Sequence, residues 1–270
     1  LSRVVATSDT VLTRSENLNA NLGAFEQLSL YTTSSNSRTM LLQFDVDQLS
    51  IAPAERAFLE LAQIDSPYDD APVEVTVYAV AKNWTEGNGT DPWSTNNSGA
   101  TWNNAASGVA WTNPGGDFNQ TSDFGFGANG VVAKQIINGF NAADPTVRFD
   151  VTNAVQAFKA GQVQNFGFAL VITQGNYTEV RFASSEATDS NSRPAIVVET
   201  ATDTTGGGTT NTGGTGSTGG TDTGTGGSGD TGSTGGTGGT GSTGSTGGTD
   251  TGTGGTGTGE RGHTKTLEGL

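Results

Sequence analysis

The most regular feature of the chain is an alternation of apolar and polar residues in short segments between polar loops. It is clearest in RTMLLQFDV, PVEVTVYAVA, NFGFALVIT, TEVRFAS and PAIVVET. A period of two places every second side chain on one face of a β-strand. Met40 and Leu42 should therefore share one face, and so should Phe166, Phe168 and Leu170. The pattern predicts sheets with one buried face and one wet face.

The number and spacing of these segments indicate how the strands are arranged. They are many and short, and the sequence between them lacks the long helical patterns of parallel-sheet units. Such a chain favours antiparallel sheets packed face to face. We therefore predict an all-β fold, an antiparallel jelly-roll β-sandwich.

One segment, FDVTNAVQAFKAG, departs from the alternation, because its apolar residues recur at helical spacing. It predicts a single short helix near Thr152–Lys159. Asp150 or Thr152 can cap the amino end, and Gly161 lies just past the carboxyl end.

The composition changes sharply near residue 200 and sets the domain boundary. Most of the 42 glycines follow that point, in a segment made largely of Gly, Thr and Ser. Such a segment has little apolar surface to offset the entropy of ordering it. We predict one β-sandwich domain over residues 1–200 and a disordered, low-complexity tail or linker over residues 201–270.

Charge and rare residues exclude several functional classes. With 27 Asp+Glu against 12 Lys+Arg, the net charge of −15 disfavours nucleic acid as a partner. There is no cysteine for a disulfide, a thiol nucleophile or a zinc ribbon, and no apolar run reaches the ~18 residues of a membrane span. The only histidine, His263, lies in the tail. Two carboxylates would suffice for a glycosidase, but no pattern marks such a pair, and we predict a protein that is not an enzyme.

All four tryptophans fall in one loop-like stretch, KNWTEGNGTDPWSTNNSGATWNNAASGVAWTNPGGD. This stretch also contains two of the motifs by which the chain resembles a known family. The motifs NLNANLG, NWTEGNGT, ATWNNAA, FDVTNAVQAF with NFGFAL, and RFASSEATDSNSRPAIVVE follow one another in an order similar to that of DNRLRE-type domains. These domains resemble the family 96 carbohydrate-binding modules. The resemblance covers about residues 5–200 and implies a secreted or cell-surface β-sandwich that binds polysaccharide without catalysis.

The chain departs from that family around the tryptophans, because extra residues separate WTEG from TWNN and follow TWNN. Trp84 and Trp102 occupy family positions, and we expect both to pack at the edge of the sandwich. Trp93 and Trp111 belong to the insertions. Together with Asn113 and Asp117 they are our candidate carbohydrate-binding residues, since an exposed ring can stack on a sugar while amides and carboxylates bond its hydroxyls. The alternative is that the insertion buries its own tryptophans as a small core.

Calcium is the ion that suits an acidic, Asn-rich loop protein, because it prefers oxygen ligands. Two short clusters, Asp45 with Asp47 and Asp69 with Asp70, are visible, but the DxDxDG loop pattern is missing. Both clusters are typical of solvated turns. A structural calcium therefore stays open, its ligands are unassigned, and no cofactor is required.

Two functions remain. In the first, the domain binds a polysaccharide or glycan and anchors a larger secreted or surface protein to it. In the second, it is a structural or adhesive subunit of an extracellular matrix or filament, whose partners are copies of itself or other surface proteins. Exposed rings at Trp93 and Trp111 would favour sugar binding, whereas rings packed inside the insertion would favour a scaffold.

Overall fold

The described part of the chain contains the whole alternating region of the sequence. The computed structural model describes residues 2–14, 17–66, 71–93, 98–175 and 178–200. The predicted tail, residues 201–270, lies outside the described residues, so its disorder stays a prediction.

Strands dominate the described residues. In chain order they are β1 (Arg3–Val5), β2 (Ser8–Thr13), β3 (Gln27–Thr32), β4 (Arg38–Gln43), β5 (Glu55–Asp65), β6 (Val73–Ala79), β7 (Asn104–Ala106), β8 (Val109–Ala110), β9 (Val131–Ile137), β10 (Thr146–Asp150), β11 (Phe168–Gln174), β12 (Thr178–Ala183) and β13 (Ala195–Thr200). Two short 3-10 helices span Val46–Gln48 and Ala128–Gly130, and one α-helix, α1, spans Thr152–Lys159. No helix of the described residues is long and apolar enough to cross a membrane.

The strands form two large sheets that pack into a sandwich. The six-stranded sheet has the order β1-β13-β5-β12-β3, with β10 also paired to β5, and the five-stranded sheet has the order β2-β4-β11-β6-β9. The pairings within both sheets are antiparallel. Strands β7 and β8 form a separate small hairpin. The predicted all-β antiparallel sandwich is confirmed.

The apolar faces of the two sheets meet in what we call the inner core. Strand β5 contributes Ala57, Leu59 and Leu61, each fully buried, with partly exposed residues between them. The five-stranded sheet contributes Met40, Leu42, Val75, Val77, Phe168 and Leu170. This is the period of two that the sequence predicts, and it fixes the register of each strand because a slip by one residue would expose the whole set.

Helix α1 has the predicted bounds. The Asp150 carboxylate accepts the Thr152 amide at 3.1 Å, and the Thr152 hydroxyl accepts the amide of Ala57, which ties the start of the helix to β5. The helix ends before Gly161, whose φ of +66° favours glycine. Its inner face buries Val155 and Phe158 in the inner core.

The five-stranded sheet differs from the prediction in having apolar residues buried on both faces. Leu12, Leu41 and Ala169 point away from the inner core and are fully buried. The prediction that Phe166 and Phe168 lie on the same face of this sheet is wrong. Gly167, at φ +85°, breaks the alternation, so Phe166 packs on the outer side while Phe168 enters the inner core.

Candidate functional site

The tryptophan-rich segment, of which the structure describes residues 81–93 and 98–118, supplies side chains that cover the outer face of the five-stranded sheet. These side chains and those of the outer sheet face form a second hydrophobic cluster, which we call the outer cluster. Its buried members are Leu12, Leu41, Val80, Trp84, Ala100, Ala105, Trp111 and Ala169, and Trp102, Phe118 and Phe166 pack against them. The large rings thus lie in loops because they complete a layer that the strands leave open.

Trp84 and Trp111 are the fully packed rings of this layer, each 5 % exposed. The Trp84 indole donates to the Phe166 carbonyl at 2.8 Å, and the Trp111 indole donates to the Thr101 carbonyl at 2.9 Å. A buried indole N–H needs such an acceptor. The expected packing of Trp84 is confirmed.

The asparagine-rich motif before β3 holds this segment in place through Asn21, which is fully buried. Its Nδ2 donates to the carbonyls of Glu86 at 2.6 Å and Ala100 at 2.8 Å. Its Oδ1 accepts the amides of Gly23 and Gly89. One side chain therefore joins three loop backbones and fixes the path on which Trp84 and Trp102 lie.

Beside the outer cluster lies an open cleft with a volume of about 550 Å³. Three aromatic residues line it, Tyr31, Trp102 and Phe118, and so do three residues with polar side-chain nitrogens, Arg38, Asn113 and Gln120. Tyr31 is the penultimate residue of β3 and Arg38 the first of β4, while the other four come from the segment 102–120. The volume is within the ~300–1,000 Å³ typical of ligand sites.

Close contacts support two of the aromatic side chains of the cleft, Trp102 and Phe118. The backbone of Gly115 lies so close to the Trp102 ring that a β-carbon there would be 2.7 Å from Cη2. Gly115 has φ +95°, and its amide donates to the Trp102 carbonyl at 2.7 Å. Phe118 stacks on Tyr78 with a centroid distance of 5.2 Å. Trp102, which we expected to pack at the sandwich edge, is half-buried and thus both packs and lines the cleft.

The charge in the cleft is balanced locally. Arg38 lies over the Tyr31 ring, 5.3 Å from its centroid. Its Nη1 bonds to Glu179 at 2.6 Å and to Ser29 at 2.7 Å. Glu179 is buried and also accepts from Arg181 at 3.1 Å. The guanidinium is therefore oriented by fixed partners and presents its remaining N–H groups at a defined place.

Arg38 also lines a second, smaller cavity of about 250 Å³ on its other side, together with Phe25 and Pro92. Trp93 follows Pro92 directly and is 69 % exposed. Its amide donates to Asp91 at 2.9 Å.

The four residues that the sequence selects for sugar binding are placed differently by the structure. Trp93 is exposed, and Asn113 is exposed and lines the main cleft. Trp111 and Asp117 are buried, at 5 % and 8 % exposure. The expectation that Trp111 is exposed is wrong, because its ring fills the outer cluster and has no free face for a sugar. Asn113 stays a predicted sugar contact at the main cleft, whereas Trp93, which does not line that cleft, stays a rival sugar site.

Asp117 has a structural task that explains its burial. Its carboxylate accepts the amides of Thr112 at 2.9 Å and Asn113 at 2.8 Å, which closes the turn after Trp111. Burial raises the pKa of Asp117, but hydrogen bonds from the backbone and side chains of Thr112 and Asn113 outweigh it, so the pKa lies below its ordinary value. Asp117 thus positions Asn113 at the cleft rather than facing the cleft itself.

The sequence reasoning missed Tyr31, Arg38, Phe118 and Gln120 as cleft residues. A signal was present for Tyr31, since the alternation that buries Leu28 and Leu30 turns the tyrosine to the other face. For Arg38 and Phe118 no local signal exists, because the cleft forms where β3, β4 and the distant segment 102–120 meet. Of the acidic clusters considered for calcium, Asp45 and Asp47 are exposed. Asp69 and Asp70 lie outside the described residues.

Comparison with known proteins gives one similarity. Residues 65–198 match the family model described as the disaggregatase related repeat domain. No curated protein matches the chain. The match supports a β-rich repeat domain and does not single out DNRLRE-type domains or family 96 modules.

The match covers a little under half of the chain and begins at the end of β5. In the structure, strands that precede it complete both sheets, since β4 pairs with β11 and β3 pairs with β12. The matched residues therefore form this sandwich together with the strands before them.

Proposed function

We propose that this protein is a non-catalytic extracellular carbohydrate-binding domain that binds a neutral polysaccharide in the cleft beside Trp102. In this role it holds a larger secreted or surface protein on the polysaccharide. The observation that carries the proposal is the cleft itself, in which three aromatic residues and three side chains with N–H donors surround about 550 Å³.

The chemistry of the lining suits a sugar. A pyranose ring has an apolar C–H face that stacks on an aromatic ring and a rim of hydroxyl groups that need hydrogen-bond partners. Trp102, Tyr31 and Phe118 offer aromatic surface, and the exposed amides of Asn113 and Gln120 offer donors and acceptors. Because Gly115 and Tyr78 support Trp102 and Phe118 from behind, little side-chain freedom is lost on binding.

The charge of the protein favours a neutral polymer over an acidic one. The net charge is −15, so a polyanion is repelled at long range. The one arginine among the named cleft residues, Arg38, already bonds to Glu179. Its remaining N–H groups can bond hydroxyl oxygens without a new charge partner.

Binding of the full chain to a panel of soluble polysaccharides tests the proposal. Neutral xyloglucan, hydroxyethylcellulose and galactomannan would be compared with anionic alginate by affinity electrophoresis and calorimetry. We expect binding to at least one neutral polymer. We expect Trp102→Ala to weaken it at least about 10-fold, since loss of a stacked ring costs about 1.4 kcal/mol or more.

Two further variants control for folding. Asn113 is exposed, so Asn113→Ala should weaken binding about 3- to 10-fold, as loss of one hydrogen bond does, with an unchanged Tm. Trp93→Ala removes an exposed ring outside the main cleft and should leave binding unchanged. Loss of binding in Trp93→Ala alone would place the sugar at Trp93 instead. Absence of binding to every polymer would overturn the proposal.

Two observations favour the alternative, a self-associating structural subunit: the Trp111 ring packs in the outer cluster, and β9 lies at a sheet edge. Strand β9 ends the five-stranded sheet, and among the described residues it pairs with β6 alone. It carries Ile136, which is 50 % exposed. A second copy could add a strand at such an edge. Sedimentation of the full chain tests this: a dimer or polymer that Ile136→Lys dissociates would favour the structural role over sugar binding.

A further inference from the structure

Three carboxylates from distant parts of the chain meet at one point. Asp9 lies on β2, Glu86 lies in the WTEG motif, and Glu186 lies in the turn that follows β12. One carboxylate oxygen from each lies within 4.8 Å of the other two. Neither the sugar cleft nor any motif of the sequence accounts for this convergence.

Asp9 is the least expected member, because it is an acidic residue with 0 % exposure. Its Oδ2 accepts the Ser185 amide at 2.6 Å. Its Oδ1 is buried and has no hydrogen-bond partner among the residues that the structure describes. Buried polar atoms are nearly always partnered, so an orphaned carboxylate oxygen beside two other carboxylates points to a missing positive ligand.

Hydrogen bonds hold all three carboxylates, two of them from backbone amides and the third from a hydroxyl. The Asp9 amide donates to Glu86 Oε1 at 2.7 Å, and the Ser185 hydroxyl donates to the Glu186 carboxylate at 3.0 Å. Gly23 allows close packing on Glu86, since a β-carbon at that position would lie 2.9 Å from Glu86 Cγ. The cluster is therefore a built arrangement rather than a chance approach of mobile side chains.

No basic side chain of the described residues compensates the charge of the cluster, because their ion pairs involve other acidic groups. Three carboxylates that the fold holds this close, one of them fully buried, repel one another unless a positive charge lies among them.

We propose that Asp9, Glu86 and Glu186 bind one calcium ion that joins β2, the tryptophan-rich segment and the turn after β12. Oxygens bound to one Ca²⁺ at about 2.3–2.6 Å lie up to about 5 Å apart, so three oxygens within 4.8 Å of one another can share one ion. Ca²⁺ accepts irregular sets of carboxylate ligands, whereas Mg²⁺ prefers a near-octahedral shell that keeps several waters. The orphaned Asp9 oxygen becomes a ligand, and the three charges gain a counter-charge.

The role of this ion is structural. Asp9 is fully buried, so a substrate cannot reach its carboxylate as it would reach a glycosidase acid or base. Glu86 lies two residues after Trp84, and Asn21 clamps the same loop. Calcium would thus stabilise the segment that forms the outer cluster. This inference is independent of sugar binding.

Calcium titration of the full chain after EDTA treatment and dialysis tests the site. Calorimetry should give one ion per chain. At a calcium concentration about 100-fold above Kd, the Tm should rise by about 5–10 °C for a domain of this size. Magnesium at the same concentration should give a smaller shift.

Two variants separate a bound cation from a general charge effect. Glu186→Gln removes one ligand charge and should weaken calcium binding at least about 10-fold. In EDTA it should fold with a Tm equal to or above that of the wild type, because it relieves repulsion. Asp189→Asn is the matched control: it removes one charge from the same turn, its side chain is exposed, and calcium binding should not change. A wild-type chain with no calcium heat and no Tm shift would show that a proton alone occupies the cluster, and equal losses in both variants would also overturn the proposal.

Discussion

The two faces of the five-stranded sheet are both buried, yet they are built in different ways. The inner face packs against a second sheet through residues such as Val75 and Val77, which alternate strictly along β6. The outer face packs against loops, through Trp84 and Trp111 and small residues such as Ala100. The inner core thus lies between two sheets, whereas the outer cluster lies between one sheet and loops.

This difference explains the polar composition of the tryptophan-rich segment. Strands satisfy their backbone groups through the ladders of the sheet, whereas buried loops must find other partners. Here side chains provide them: Asn21 bonds four backbone groups, and Asp117 bonds two amides. The Asn and Asp residues around the tryptophans are therefore part of how the outer cluster is held, and not only features of a surface.

The largest expected effect is that of Trp111→Ala. Because the ring is 5 % exposed in the outer cluster, its removal should lower the free energy of unfolding by about 3–5 kcal/mol. Urea denaturation of the full chain measures this. Trp111→Phe, which keeps most of the volume but loses the bond to the Thr101 carbonyl, should lose clearly less. A loss below about 1 kcal/mol in Trp111→Ala would mean that the outer cluster is not a core.

The next effect is that of Asn21→Ala, which leaves two carbonyls and two amides without their partner. We expect a loss of about 2–3 kcal/mol in unfolding free energy by the same measurement. Asn19→Ala is the control within the same motif: its side chain is exposed, and its loss should cost less than about 0.5 kcal/mol. Equal effects of the two substitutions would contradict the clamp.

A smaller effect, with a defined pH dependence, is expected for Asp117→Asn. The folded state lowers the pKa of Asp117 below its ordinary value of 3.8, so the ionised carboxylate stabilises the fold above that pH. Near pH 7 the variant should lose about 1–2 kcal/mol in unfolding free energy. As the pH falls below about 4, the wild type loses this contribution and the two proteins should converge. A difference that stays constant from pH 7 to pH 3 would contradict the assigned role.

The smallest effect is expected for Trp93→Ala. Its ring is 69 % exposed, so the unfolding free energy should change by less than about 0.5 kcal/mol. Compared with Trp111→Ala, this variant tests the contrast between two tryptophans that both lie in insertions. Similar losses in the two variants would show that Trp93 also packs in the folded protein.

Much of the fold could be predicted from the sequence, and the outer cluster shows where that reasoning ended. The short helix at Thr152–Lys159 and the inner faces of β4 and β6 follow from local periodicity. Trp84 was assigned to packing and is buried. For Trp111 the sequence left both an exposed and a buried ring open, since its neighbours in sequence are polar. In the structure those polar groups bond the loop backbone while the ring turns inward.

The candidate sites were the least predictable part. Among the residues that the sequence selects, Asn113 lies at the cleft, whereas Tyr31 on β3 and Arg38 on β4 line it without having been selected. Whether a loop residue is exposed depends on whether its side chain packs on an apolar face of a sheet formed by distant segments. The local content of Asn, Gly and Trp does not determine this packing.

The sequence by itself determined the all-β class, the single helix and which strand faces are apolar, because these properties depend on side chains two to four positions apart. Only the tertiary structure decided that a second face of the same sheet is buried, that Trp102 borders a cleft, and that three carboxylates converge. The Asp9 amide bonds Glu86 across 77 positions, and the Asp9 carboxylate bonds Ser185 across 176. Contacts at such separations leave no periodic signal in the sequence, because they depend on how whole sheets and loops pack together.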